Sequence, residues 1–356
     1  MKTISLAVIP GDGIGKEVVP AGLRVLDAAA ELHGGLKFTK TEFPWSCEYY
    51  VAHGKMRPDD WQKTLAGFDA IFLGAVGLPN LVPDHVSLWG FMMDIRHGFE
   101  QYVNLRPVKL LRGIASPLRD KTPHCFDFTV VRENNEGEYS TVGGRVYEGT
   151  PHEAAVQQAY FSRHGCERVL RHAFELARKS RRKRLVSVTK SNGIIHTMPF
   201  WDQITAEVAA AYGDVQWRLM HVDAAAAYFV LKPEELDVVV ASNLFGDILT
   251  DLGGAIMGSI GMAPAANLNP ERKHPSMFEP VHGSAPDIAG RGIANPIGQV
   301  WTAAMMLEWF GEPALAAHLV NAIEDTLEAN IKTPDLGGRA TTREVTDALI
   351  ANLRKV

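Results

Sequence analysis

The chain has no apolar run approaching the roughly 20 residues that a membrane-spanning helix requires. It has no excess of either charge. Its 36 Lys and Arg stand against 41 Asp and Glu, a net charge of −5 that gives no electrostatic reason to bind nucleic acid. The one basic run, Arg178–Arg184, joins a helix-like segment to a strand, where a helix C-terminus favours cations. Cysteine is scarce: Cys47, Cys125 and Cys166 are odd in number and without metal-ligand spacing, as expected of buried thiols in a reducing cytoplasm. The opening MKTISLAVIPGDG lacks the long apolar core and cleavage site of a secretory signal and reads as a first strand. Repeats, low-complexity tracts and flexible linkers are absent too. A chain of 356 residues exceeds one simple core, so two lobes interleaved in sequence are expected.

What is present centres on Leu236–Gly261. Val238–Ala241 is an apolar, β-branched run that reads as a buried strand, and helical periodicity begins at Leu244. Asp247 and Asp251 lie four residues apart, on one helical face one turn from each other. Two anionic oxygen donors just past a buried strand suit Mg²⁺ or Mn²⁺. A solvated acidic face is the other reading of the same pair.

Earlier, the strand Ile4–Ile9 runs into Pro10-Gly11-Asp12-Gly13-Ile14-Gly15-Lys16 and a helix over Glu17–Leu32. This is neither phosphate-loop pattern, and a tight turn using the positive φ open to glycine is the preferred reading. Further strands are expected at Ala70–Gly74, Phe126–Val131, Arg184–Val188 and Trp217–Val222, with helices at Val86–Tyr102, Glu153–Lys179 and Met198–Ala211. A hairpin is expected over Glu136–Tyr147 with its bend at Gly143-Gly144. Arg96, Arg106 and Arg132 end three separate elements and could converge on one anion, since guanidinium forks match carboxylates. Lys190 directly follows a buried strand, a position where a lysine can serve as a base. Asp223 also stands at a strand end. Arg132, Lys190, Asp223 and the aspartate pair therefore share the carboxyl edge of the sheet, where ligands bind in α/β folds. Toward the C-terminus, Phe278–Pro296 is a Gly/Pro-rich loop longer than a connection needs. Thr341-Thr342-Arg343-Glu344 then reads as a helix cap.

Asn104–Pro107 (NLRP), Arg132–Gly137 (RENNEG), Thr189–Asn192 (TKSN), Asn243–Asp251 (NLFGDILTD) and Glu279–Asn295 together resemble the β-decarboxylating dehydrogenase family. That family includes isocitrate, 3-isopropylmalate, tartrate and D-malate dehydrogenases. The resemblance implies an isopropylmalate dehydrogenase-like α/β fold with two interleaved lobes, a central mixed sheet and an intersubunit β-hairpin clasp. It divides the chain into a cofactor lobe, 1–101 plus 258–356, and a metal, substrate and dimerisation lobe, 102–257, with the clasp at about 134–156. Asp247, Asp251 and Asp223 of a second protomer would hold Mn²⁺ or Mg²⁺. Arg96, Arg106 and Arg132 would grip carboxylates, Lys190 from the second protomer would act as base and Tyr139 as acid. NAD would lie along His282, Gly283, Ser284, Ala285, Asp287, Ile288 and Asn295, with Asp287 on the ribose hydroxyls repelling a 2′-phosphate and Asn192 near the nicotinamide. The expected partners are a small dicarboxylate and a second copy of the chain, with no nucleic acid and no membrane. K⁺ is left open as an additional requirement.

The segment His85–Arg96 is similar to the tartrate and D-malate branch. Trp89, Met92 and Met93 would fill the pocket where isocitrate enzymes place a serine; that Met92 and Met93 only pack a helix is the other reading. 3-Isopropylmalate is the alternative substrate, because apolar walls also suit it. One departure is Asn135, where many relatives have threonine. An inactive regulatory subunit would have lost some of Tyr139, Lys190, Asp223, Asp247 and Asp251, and all are present. A phosphate-binding NTPase would require a Ser or Thr after Lys16, which is Glu17.

Overall fold

Short β-branched runs become the strands of one ten-stranded mixed sheet in a computed structural model that describes residues 1–355. The N-terminal third gives β1 (Lys2–Gly11), α1 (Gly15–His33), β2 (Leu36–Glu42), α2 (Cys47–His53), α3 (Trp61–Leu65) and β3 (Ala70–Ala75). Next come α4 (Asp84–Ser87), a π-helical turn at Leu88–Met93 and α5 (Asp94–Gly98), then β4 (Val103–Lys109) and β5 (Asp127–Glu133). A separate two-stranded hairpin pairs β6 (Gly143–Val146) with β7 (Ala154–Gln157). The middle continues with α6 (Arg163–Lys179), β8 (Arg184–Thr189), α7 (Thr197–Ala209), β9 (Gln216–His221), α8 (Val222–Leu231), β10 (Val238–Ala241) and α9 (Asn243–Ile256). β11 (Pro264–Leu268), β12 (Ser276–Pro280), α10 (Ile297–Trp309), α11 (Pro313–Glu328) and α12 (Thr342–Leu353) finish the chain.

The strand order is β2-β1-β3-β12-β11-β4-β5-β10-β8-β9. Neighbours among β2, β1, β3 and β12 pair in parallel, and so do those among β5, β10, β8 and β9. Antiparallel pairs through β11 and β4 join the two groups. Because β5, β10, β8 and β9 run the same way, their carboxyl ends share one edge, as the strand-end argument requires. Strand alternation sends Leu6, Val8, Ala70 and Phe72 into the main core, and Ala7, Ile9, Ile71 and Leu73 into a second cluster with Trp45, Trp61, Phe91 and Phe99. The capping box at Thr341 and Glu344 is formed.

Several sequence expectations are corrected. The helix expected to reach Tyr102 stops at Gly98, because Gly98 packs against the Trp61 ring and Glu100 takes a positive φ of 47°. Arg106 therefore stands in a strand. Gly143 and Gly144 begin β6 rather than bend the hairpin; the turn lies at Tyr147–Glu153, where Tyr147 and Gly149 adopt positive φ. The helix expected from Glu153 starts only at Arg163, after its Ser162 cap, because 154–157 form β7. Asp223 lies in the first turn of α8, just past β9. β2, β4, β11 and β12 were not read from the sequence, and β12 takes Phe278–Pro280 out of the expected loop.

Candidate active site

Alternation along β4, β5, β11 and β12 sorts their side chains onto two faces. Leu105, Pro107, Thr129, Ala266, Leu268 and Phe278 line one side, around a cavity of about 450 Å³. On the other side Asn104, Arg106, Arg132, Asn267 and Glu279 form a buried polar network. Buried polar groups are costly unless paired, and here nearly all are. Asn104 Nδ2 and Asn134 Nδ2 donate to Asn267 Oδ1 (2.7 and 2.9 Å), and Asn267 Nδ2 donates to Glu279 Oε1 (2.7 Å). Arg96 Nη2 donates to the same Glu279 oxygen at 2.9 Å. Arg106 donates to Asn104 Oδ1 (2.7 Å) and Thr250 Oγ1 (2.6 Å). Arg96 Nε is buried and, among the described residues, has no hydrogen-bond partner.

At the rim of this network α9 brings in Asp247. Gly246 makes the approach possible, since a Cβ there would sit 2.7 Å from Arg132 Cβ and Cγ. Arg132 donates through Nη1 to Asp247 Oδ1 and through Nε and Nη2 to Asn243 Oδ1 (3.1 and 2.7 Å). Arg106 Nη1 lies 3.4 Å from Asp247 Oδ1, and the Tyr139 hydroxyl donates to Asp247 Oδ2 at 2.9 Å. Burial alone would raise the Asp247 carboxyl, but Arg132, Arg106 and the Tyr139 hydroxyl outweigh it and hold it below the usual range. Asp251 is shifted the other way, raised by burial and by the Asp247 charge. Burial and Asp247 also raise the Tyr139 phenol, which keeps its proton at neutral pH. Arg106 is lowered by burial, as is Arg132, to which Arg106 adds repulsion; guanidinium basicity leaves both charged.

Lys190 and Asp223 form a second, outer group. Lys190 Nζ donates to Asp223 Oδ1 at 2.8 Å, with side-chain exposures of 31% and 68%. That hydrogen bond from Lys190 lowers the Asp223 carboxyl. Within one chain, then, Asp247, Tyr139, Arg96, Arg106 and Arg132 come together, while Lys190 and Asp223 make their own pair on the outer strands. Asp247 and Asp251 are hard oxygen donors suited to Mg²⁺ or Mn²⁺. Among the described residues of one chain, no three His, Cys, Asp or Glu side chains are grouped to hold a metal.

A cleft of about 250 Å³ beside Tyr139 is lined by Trp89, His97 and Asn135. Met93 is fully buried and Met92 packs against the second core cluster, so of the three expected pocket residues only Trp89 lines this cleft. The backbone N–H of Asn135 donates to Glu133 Oε1 at 2.9 Å. Burial raises the Glu133 carboxyl to about 7.

The loop from His282 follows β12 and packs against the opening turn. Ile14 N–H donates to Ser284 O at 2.8 Å, and a Cβ on Gly13 (φ +52°) would fall 2.0 Å from that oxygen. Gly11 and Gly13 both take positive φ, as a tight turn requires. His282 is lowered by burial, Gly283 and Asp287 are exposed, and Ala285, Ile288 and Ala289 pack with Ile14, Val18 and Ala294. Asn295 Nδ2 donates to Asp335 Oδ2 at 2.9 Å. Asn192 is exposed, two residues beyond Lys190. Sequence reasoning missed the roles of Asn104, Asn134, Asn243, Asn267 and Glu279. All but Asn267 lay inside quoted motifs, but nothing in their spacing announced a network.

The sequence profile of the isocitrate/isopropylmalate dehydrogenase family matches residues 5–349. The chain is 58% identical over 356 residues to the "Probable tartrate dehydrogenase/decarboxylase" of Bacillus subtilis (strain 168), covering 100% of this chain and 99% of that one. It is 57% identical to the D-malate dehydrogenase [decarboxylating] of Escherichia coli (strain K12), covering 98% of each. The solved isocitrate dehydrogenase from Methylococcus capsulatus superposes with a TM-score of 0.88 at 30% identity, covering 99% of this chain and 100% of that one. The family in general uses NAD(P) and a divalent metal. With its fold and its motifs in agreement, the chain belongs to the isocitrate/isopropylmalate dehydrogenase family.

Proposed function

We propose that the protein is an NAD-dependent, divalent-metal-dependent dehydrogenase of a small 2-hydroxy diacid, D-malate or tartrate, oxidising it with or without loss of CO₂. One observation carries the reading: three arginines surround a carboxylate–phenol pair on a buried polar face, and among the described residues Arg96 Nε has no hydrogen-bond partner. That arrangement suits a dianion. The 57–58% identity to a D-malate and a tartrate enzyme supports this branch. When bound, the cation (Mn²⁺ or Mg²⁺, with Asp247, Asp251 and a second protomer's Asp223 as donors) supplies a Lewis acid, and NAD supplies the hydride acceptor.

The chain's own groups do the rest. Arg96, Arg106 and Arg132 bind and orient the carboxylates. Lys190 Nζ takes the proton from the substrate hydroxyl. Tyr139 Oη delivers a proton to the carbon that loses CO₂, and its raised phenol pKa suits that role. Asp287, which is exposed, would hold the adenosine ribose hydroxyls and repel a 2′-phosphate, a preference for NAD over NADP. His282, Gly283, Ser284, Ala285, Ile288, Asn295 and Asn192 would complete the contacts to NAD.

Lys190 and Asp223 pair away from Asp247, so the reading calls for a homodimer in which they serve the neighbouring site. Exposed apolar side chains on the hairpin (Val142, Val146, Tyr147, Val156) and on β9, α8 and α9 (Leu219, Leu231, Ile248) support such an interface. The division into 1–101 plus 258–356 and 102–257 splits the strand order between β11 and β4, where one parallel group gives way to the other. Among the described residues no helix is long and apolar enough to cross a membrane, and a cytoplasmic location fits this reading.

The test is steady-state turnover of D-malate, L-tartrate, meso-tartrate, 3-isopropylmalate and isocitrate with NAD⁺ and NADP⁺, with Mn²⁺ or Mg²⁺ and with or without K⁺. D-malate or a tartrate with NAD⁺ should give the highest kcat/KM, abolished by chelator. Isocitrate with NADP⁺ as the best pair would overturn both the substrate and the cofactor assignments.

A further inference from the structure

The segment ahead of Tyr139 is fastened to the first turn of α9 at several points, and one of them has no assigned role. Asn243 Nδ2 donates to Glu136 O at 3.0 Å. Gly137 (φ +89°) lies so close that a Cβ would meet Asn243 Cβ at 3.2 Å. The Glu138 carboxylate then spans the helix start. Its Oε1 accepts from Ser242 Oγ at 2.8 Å and its Oε2 from Leu244 N–H at 3.0 Å. Ser242, at the N-cap position of α9, accepts no helix N–H of its own. The side chain that covers these donors thus comes from another segment, one residue before Tyr139. A helix N-terminus favours an anionic acceptor, and one turn later the same helix carries Asp247, which Tyr139 meets at 2.9 Å.

We propose that Glu138 is a positioning residue of this site, capping α9 from outside the helix so that Tyr139 and Asp247 hold their contact. The inference rests on the dehydrogenase reading for its catalytic consequence, but its geometric consequence can be measured without turnover. Two backbone segments pinned by one carboxylate cannot slide past each other. Without it, α9 and the loop that carries Tyr139 keep the Asn243–Glu136 tie but lose the clamp across the helix start, and displacements of about 1 Å near reacting groups cost up to about a hundredfold in rate.

The full-length chain carrying Glu138→Ala is compared with wild type and with Glu138→Gln. Glutamine keeps a carbonyl oxygen for Leu244 N–H, and its amide can face a rotated Ser242 hydroxyl. Near-UV circular dichroism checks that each variant is folded. In Glu138→Ala, kcat on D-malate should fall about tenfold to a hundredfold with KM changed less than about threefold, and the solvent deuterium isotope effect on kcat should rise as proton delivery from Tyr139 becomes limiting. Mn²⁺ affinity of the substrate-free protein, read by electron paramagnetic resonance, should weaken by about fivefold or more as Asp247 moves. Glu138→Gln should restore both readouts to within about threefold of wild type. Unchanged Mn²⁺ affinity in Glu138→Ala, or a Glu138→Gln variant as impaired as Glu138→Ala, overturns the proposal. A wild-type chain that turns over no hydroxy diacid would instead overturn the dehydrogenase reading, and the Mn²⁺ titration would still decide for or against Glu138.

Discussion

Two charged clusters belong to neighbouring strands of the same sheet edge and are built in opposite ways. The inner one, Asp247 with Tyr139, Arg106 and Arg132, is largely buried, and its groups hold one another at short range. The outer one, Lys190 with Asp223, is a single exposed ion pair. Buried, mutually paired groups are fixed in place by the cost of leaving any of them unpaired. An exposed pair is worth little to stability and is easily exchanged for another partner. The difference fits the proposal that one cluster is a prepared platform and that the other would serve a neighbouring copy of the chain. It also separates Asp247, whose removal should abolish metal binding, from Lys190, whose removal should spare it.

Asp247→Asn attacks the inner cluster and should have the largest effect, a loss of about 10³-fold in kcat/KM with Mn²⁺ affinity lost in parallel. Lys190→Met attacks the outer pair. Its kcat should fall about 10²-fold while Mn²⁺ affinity, read by calorimetry, stays within about threefold. If both variants lost metal and turnover equally, the contrast between the clusters would collapse.

The opposite face of the sheet supplies the smallest effect and a control. His172 lines the cavity on that side. Burial, helped by Lys179, lowers it to about 4 from an ordinary value of 6.5. Between those values the unfolded chain binds more protons than the folded one. The neutral ring's contribution to stability is therefore complete above pH 6.5 and lost as pH falls toward 4. His172→Gln should flatten the denaturant-measured stability between pH 5 and pH 7 by on the order of 2 kcal/mol and leave kcat unchanged. A pH dependence identical to that of wild type would remove His172 from this account.

Much of this contrast was legible in the sequence because it depends on strand ends. Arg132, Lys190, Asp223 and Asp247 each follow or close a run of β-branched or apolar residues, and those runs became β5, β8, β9 and β10. The i,i+4 spacing of Asp247 and Asp251 survived because α9 is a regular helix. The antiparallel centre was not legible. β11 and β4 each carry a proline and a buried asparagine, so they do not read as buried strands until the network among Asn104, Asn267 and Glu279 is seen. The hairpin was legible in existence but not in register. Gly143-Gly144 is as good a turn signal as Gly149 with Pro151, and only the pairing of Gly143 with Gln157 decides between them. Met92 and Met93 were indistinguishable from pocket residues by spacing; in the fold Met93 is fully buried and the half-buried Met92 packs against the second core cluster.

The most direct measurement mixes Asp247→Asn and Lys190→Met chains by unfolding and refolding them together in equal amounts. If each site takes Asp247 from one protomer and Lys190 from its partner, half the dimers are mixed, each has one intact site, and activity should recover to about a quarter of wild type. Activity no greater than the sum of the two variants refolded separately would contradict a site shared between two copies of the chain.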